Sequence, residues 1–116
     1  MAINVIAIQG RVFEVKEARK AGDSEVSTVR MYQAKKKKDD SWDRIWFDVS
    51  CWGKKSELAQ KLSKGDKVLV EGSLAYREWE QDGIKRSAYS ITADKLHPDY
   101  DFNNKDREDK QSPAYG

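Results

Sequence analysis

The chain has 116 residues, 36% charged and only 38% hydrophobic, with a formal net charge of +2 and one cysteine. That length suits one domain with a modest core. The lone cysteine excludes an internal disulfide and a multi-cysteine zinc site, and so small a net charge names no partner by itself. Four Trp and five Tyr are more rings than such a core needs, so some are expected outside it.

Residues 3–15 alternate as a first strand, broken at Gly10, where a bend or bulge is expected. The apolar N-terminus is short and carries neither a basic leader nor a cleavage site. It reads as neither signal peptide nor membrane anchor, which implies a soluble, cytoplasmic protein. Residues 16–24 form a polar loop with a Gly-Asp turn. Residues 25–34 are a second strand, followed by the charged loop "KKKKDDSWD". In the third strand, "RIWFDVSCWGK", Ile45, Phe47, Val49 and Cys51 make an ordinary apolar face. Trp46, Asp48, Ser50 and Trp52 lie on the other side, so two large rings point where water should be. The period then lengthens: Leu58, Ala59 and Leu62 mark a short helix over 54–65, with Ser56 as a possible cap and Gly65 as its stop. Residues 67–79 and 84–96 are a fourth and a fifth strand around an Asp-Gly hairpin turn. Gly72 lies inside the fourth.

The predicted fold class is all-β: a five-stranded OB-fold barrel with one short helix between strands three and four. A five-stranded α+β sandwich is the alternative. The helix position and the two strand glycines favour the barrel. The predicted organisation is a binding domain over 1–97 and a short, polar, flexible tail over 98–116.

An OB barrel binds strands across its second and third strands. Aromatic rings stack on exposed bases whatever the base, for roughly 1–3 kcal/mol each. At about 3.3 Å per residue, Trp46 and Trp52 stand roughly 20 Å apart, two stations on one strand. Trp79 has outward parity in the fourth strand, beside Arg77. Trp42 has two open readings, a stacking ring reached from the loop or a cap on the barrel. Tyr76 has interior parity, and Tyr32 and Tyr89 read as core or interface.

The segments "NVIAIQGRV", "WFDVSCWGKKSELAQKLSKGDKVLVEGSL" and "REWEQDGIKRSAYSITAD" resemble the bacterial and phage single-stranded-DNA-binding protein family over residues 3–96. The resemblance implies a non-catalytic, sequence-tolerant DNA-binding protein of replication, recombination or repair. It also implies stacking by Trp46, Trp52 and Trp79. The basic candidates are Arg11, Lys54, Arg77, Lys85 and Arg86, next to matched motifs. Lys35, Lys36, Lys37 and Lys38 act as one phosphate-following loop, partly neutralised by Asp39 and Asp40. Asp48 either pairs with a neighbouring cation or accepts from a base amino group. The family's assembly implies a homo-oligomer, dimer or tetramer, and a bacterial cytoplasm or a phage-infected host. Family members end in an acidic tip, whereas this chain ends "DREDKQSPAYG", so partner docking through such a tip is doubtful. The alternative function is a related OB module, a primosomal accessory or RNA-binding protein.

Catalysis has no parts here. His97 is the one histidine and has no partner set. Cys51 has core parity and reads as an inert thiol. "WGKKS" lacks the upstream glycine and the spacing of a phosphate loop. The carboxylates are scattered among lysines, so neither a metal nor a cofactor is expected, and a nuclease site is disfavoured.

Overall fold

A computed structural model describes residues 2–104. The elements in chain order are β1 (Ile6–Val15), β2 (Arg19–Ala21), β3 (Ser24–Lys36), β4 (Trp42–Trp52), α1 (Lys54–Gln60), β5 (Lys67–Gln81) and β6 (Ile84–Pro98). The sheet order is β1-β5-β6-β4-β3-β2, and an added β1–β3 pairing closes it into a barrel. Five long strands and one short helix after the Trp-bearing strand are the expected OB plan. β2 was not expected. It is three residues folded back on β3 through Gly22 and Asp23, too short and polar to show any alternation.

β1 makes the closure by pairing on both sides, with β5 over Ile6–Arg11 and with β3 over Arg11–Val15. Gly10 sits at that handover. A Cβ on it would lie 2.7 Å from the Tyr32 carbonyl oxygen, so only glycine lets β3 pass so close. Gly72 sits at a register shift between β5 and β6, where a Cβ would run into the Thr92 carbonyl. Gly72 thus marks a bulge, as its place inside a strand suggested, whereas Gly10 marks a close backbone approach in an unbroken strand, and the shift in β1 lies between Val12 and Glu14.

Val12, Val29, Met31, Val49, Val68 and Val70 fill the barrel and are fully buried. Cys51 lies among them, and burial pushes its thiol up to about 11. α1 covers one end of the barrel through Ala59 and ends at Gln60, earlier than its apolar spacing suggested. Ser56 is not the cap. Gly53, at φ 63, opens the helix without a side-chain bond. Ser56 instead turns into the core, with its Oγ 2.6 Å from Ser27 Oγ. Gln60 Nε2 donates to that same Ser27 Oγ (2.8 Å) and to the Lys16 carbonyl (2.9 Å), tying helix to barrel wall.

Interior parity fails to bury side chains where strands outrun the barrel. Ile45 has the parity of Phe47, Val49 and Cys51, yet is 48% exposed. Tyr76, expected in the core, is 50% exposed and packs against Tyr89 at 4.8 Å. The cause is topological. β5 and β6 stay paired out to Gln81 and Ile84, but β1 leaves β5 at Gly72, and β4 pairs with β6 only at Ile91 and Thr92. Beyond those points the ribbon is a two-stranded arm, tied to the chain before β1 only through Asn4 on the backbone of Leu74 among the hydrogen bonds of the described residues, and its side chains lie outside the barrel core.

The polar segment from His97, expected to be loosely attached, is tied down as far as residue 104. The Asp99 N–H donates to the Lys67 carbonyl (2.9 Å). The Lys67 N–H donates to Asn103 Oδ1 (2.6 Å), and Asn103 Nδ2 donates back to the Lys67 carbonyl (3.2 Å). Residues 105–116 of the expected tail lie outside the described residues. No described helix is long and apolar enough to cross a membrane.

Candidate nucleic-acid interface

β3 and β4 pair in one unbroken register from Val26 opposite Trp52 to Lys36 opposite Trp42. Residues directly opposite share a face. The outward rings of β4 therefore meet a specific set on β3: Lys36 beside Trp42, Tyr32 beside Trp46, and Arg30 beside Asp48. This solves the puzzle of the two outward tryptophans. They stand on a surface already lined with rings and cations, not in plain solvent.

The centre is a three-ring cluster. Trp46 meets Phe13 edge-on at 5.1 Å and Tyr32 tilted at 5.3 Å. Each ring has its own cation: Arg30 at 5.2 Å from Trp46, Arg44 at 4.9 Å from Tyr32, and Lys64 at 4.9 Å from Phe13. Phe13 gets there because the β1–β3 register shifts between Val12 and Glu14, which re-aims one side chain. Trp46 stays 38% exposed and Trp52 39%, enough to present a ring to a ligand.

Asp48 pairs with a cation, the first of its two readings. Arg30 Nη1 lies 3.0 Å from Asp48 Oδ1. The pair neutralises the one acid between the tryptophans and holds the guanidinium over Trp46.

The lysine run is only partly a loop. Lys35 and Lys36 belong to β3, and Trp42 opens β4, so the connection is the short turn from Lys37 to Ser41. Trp42 is 62% exposed at the far end of the hairpin, which removes the barrel-cap reading. The partners of the lysines also differ from expectation. Lys36 pairs with Asp40 (3.4 Å) and Lys37 with Asp43 (3.1 Å). Asp39 pairs with no lysine among the described residues. It accepts from the Ser41 N–H and hydroxyl, bonds that hold its carboxyl below the usual range.

The arm brings in the remaining candidates. Trp79 stands opposite Arg86, Lys85 opposite Glu80, and the Arg77 guanidinium lies 4.6 Å from the Trp79 ring. A groove of about 270 Å³ separates arm from barrel face, lined by Asp48, Ser50 and Trp52 on one side and Arg77, Ser90 and Thr92 on the other. Trp52 and Arg77 thus share one cleft. Lys54 is exposed at the start of α1, two residues past Trp52. Arg11 is anchored by the fold through its Nε, which donates to the Gly65 carbonyl at 3.0 Å. It still lines an open cleft with Tyr32, Phe13 and Arg44. His97 pairs with Glu71 at 3.0 Å on the barrel surface, and that bond lowers the Glu71 carboxyl. Among the described residues, no group of three or more His, Cys, Asp or Glu could hold a metal ion.

The model of the single-strand binding protein family matches residues 3–99. The chain belongs to this family. It is 33% identical over 96 residues to the single-stranded DNA-binding protein of Treponema pallidum, covering 78% of this chain and 54% of that protein. With the Wolinella succinogenes protein of the same name it shares 46% over 65 residues, 53% of this chain and 40% of that one. The chain thus spans about half the length of these curated relatives. The Synechocystis single-stranded DNA-binding protein 1 is 31% identical over 102 residues, 83% of each chain. A solved structure described as a Plasmodium falciparum SSB complex with ssDNA superposes with a TM-score of 0.73 at 21% identity, over 84% of this chain and 96% of that one. It shares the barrel fold.

Five residues of this face were not singled out from the sequence: Phe13, Arg30, Tyr32 as a face residue, Arg44 and Lys64. Arg44 was within reach, because it has the parity of Trp42 and Trp46. Arg30 and Tyr32 required the β3–β4 register, and Phe13 required the bulge. No sequence signal placed Lys64.

Proposed function

We propose that this member of the single-strand binding family coats single-stranded DNA without strong sequence preference, in replication, recombination or repair, and is not an enzyme. The observation that carries the reading is the Phe13–Tyr32–Trp46 cluster with Arg30, Arg44 and Lys64 around it. Bases stack on rings, cations follow phosphates, and neither contact reads sequence. The strand runs along β3 and β4, with Trp52 and the arm's Arg77, Trp79, Lys85 and Arg86 as further contacts, and with Lys35, Lys38 and Lys54 on phosphates. The barrel is the binding domain, and the short polar tail follows it. The protein works as a homo-oligomer in a bacterial or phage-infected cytoplasm. Ile3 and Val5, almost fully exposed beside β1, support the assembly.

The test is a comparison of affinities for single-stranded DNA of mixed sequence, its duplex, and RNA of the same sequence. Single-stranded DNA should bind much the tightest, since a duplex hides its base faces. Equal affinity for duplex, or a clear preference for RNA, contradicts the reading.

A further inference from the structure

Beyond the β3–β4 face the aromatic and basic surface continues. The cleft holding Phe13, Tyr32 and Arg44 shares Arg11 and Tyr32 with a second cleft of about 280 Å³. That second cleft is lined by Gln9, Gln33, Lys67 and Phe102, residues from three different strands and from the segment after β6.

Phe102 is held there by design of the backbone around it. Its N–H donates to Asp99 Oδ1 (3.1 Å), and the Asn103 N–H donates to the Asp99 carbonyl (2.8 Å). Asn103 is buried and bound to both backbone groups of Lys67. These bonds fix the turn through polar groups and leave the ring half-buried, at the cleft edge. Two cations attend it, Arg11 at 5.0 Å and Lys67 at 5.1 Å from the ring centre. An aromatic flanked by cations, in a cleft that shares Arg11 and Tyr32 with the one beside the Trp46 cluster, repeats the chemistry of the first face.

We propose that Phe102, with Arg11 and Lys67, forms a further nucleotide subsite, in which a base stacks near the Phe102 ring while the two cations take the adjoining phosphates. It extends the strand path from Trp46 past Tyr32 and Arg11 to the end of the barrel. The subsite rests on the single-stranded-DNA reading above. It makes the segment after β6 part of the binding surface and not merely a latch on β5.

Affinity against oligonucleotide length tests it. A ladder of oligo-dT of about 4 to 16 nucleotides covers the range known for one OB fold. The full chain should gain affinity at the length where the strand reaches past Tyr32. Phe102→Ala and Phe102→Leu should match wild type on the shortest oligomers and lose that gain, about 5- to 160-fold, the range for one stacked base. Phe102→Tyr should restore it. The leucine variant keeps apolar packing, so a loss there reports the missing ring and not a loosened turn. Variants that equal wild type at every length would show a structural latch only and overturn the subsite. Tighter binding by Phe102→Ala would make the ring a plug and overturn it equally. If wild type itself binds no oligomer, the single-stranded-DNA reading falls and the subsite with it.

Discussion

Trp46 and Trp52 answer the question of outward rings differently. Trp46 is built into a cluster, packed on Phe13 and Tyr32 and covered by Arg30. Trp52 stands at the mouth of the arm groove. Neither belongs to the barrel core, so Trp46→Ala and Trp52→Ala should each weaken binding by roughly 1–3 kcal/mol while the chain still folds and unfolds cooperatively. Titration and melting of the same variants check both halves. Arg30 is restrained by Asp48, and that restraint can be released. Asp48→Asn should free the guanidinium for phosphate, raising affinity and steepening the salt dependence by about 0.7 in log–log slope if one contact is gained. A weaker, flatter variant would show that Asp48 is needed to position Arg30. Cys51 gives a pH signature. Its thiol ionises near 9 when free but is pushed up to about 11 in the fold. The folded chain therefore keeps a proton that the unfolded chain releases. The stability from this site is complete below pH 9 and is lost as the pH rises toward 11. Denaturant midpoints of wild type should fall more steeply over that window than those of Cys51→Ala.

The β3–β4 hairpin decides how the lysine run works. Lys36 and Lys37 already have Asp40 and Asp43, whereas Lys35 and Lys38 enter no ion pair among the described residues. Replacing Lys35 and Lys38 by Gln should therefore flatten the salt dependence almost as much as replacing all four, by about 0.7 per lost contact. Unchanged slopes in both variants would mean that the hairpin tip touches no strand. Much of this geometry was legible in the sequence, and the limits have physical causes. Parity alone placed Trp46 and Trp52 outside and Val49 and Cys51 inside, because the barrel wall imposes a period of two there. Parity misplaced Ile45 and Tyr76, because alternation says which way a side chain points and not whether anything lies beneath it. The ion pair of Arg30 and Asp48 needed the hairpin register, which depends on where a run of lysines turns. The docking of residues 99–104 is made by backbone groups and one asparagine, which leave no hydrophobic pattern. The glycines were the clearest marks. Gly72→Ala should cost about 1–3 kcal/mol or more in a denaturant melt, because its Cβ meets backbone and not a flexible side chain.

At the scale of the whole molecule, a net charge of +2 is too small to explain the proposed nucleic-acid binding, and its arrangement matters more. Cations gather where rings are exposed, and the acids nearest them, Asp40, Asp43 and Asp48, are each held by a basic partner. The proposed assembly belongs to this scale too. Light scattering at micromolar concentration should give a mass above one chain, and a monomer would remove that part of the account. The proposed function depends above all on the face of β3 and β4 stacking on single-stranded DNA. Intrinsic tryptophan fluorescence, titrated with oligo-dT, tests it most directly, since Trp42, Trp46, Trp52 and Trp79 are all at least partly exposed. A saturable loss of much of the emission is expected on adding single strands, and far less with duplex at the same phosphate concentration. Emission unchanged at saturating single strand, or quenched equally by duplex, would contradict it.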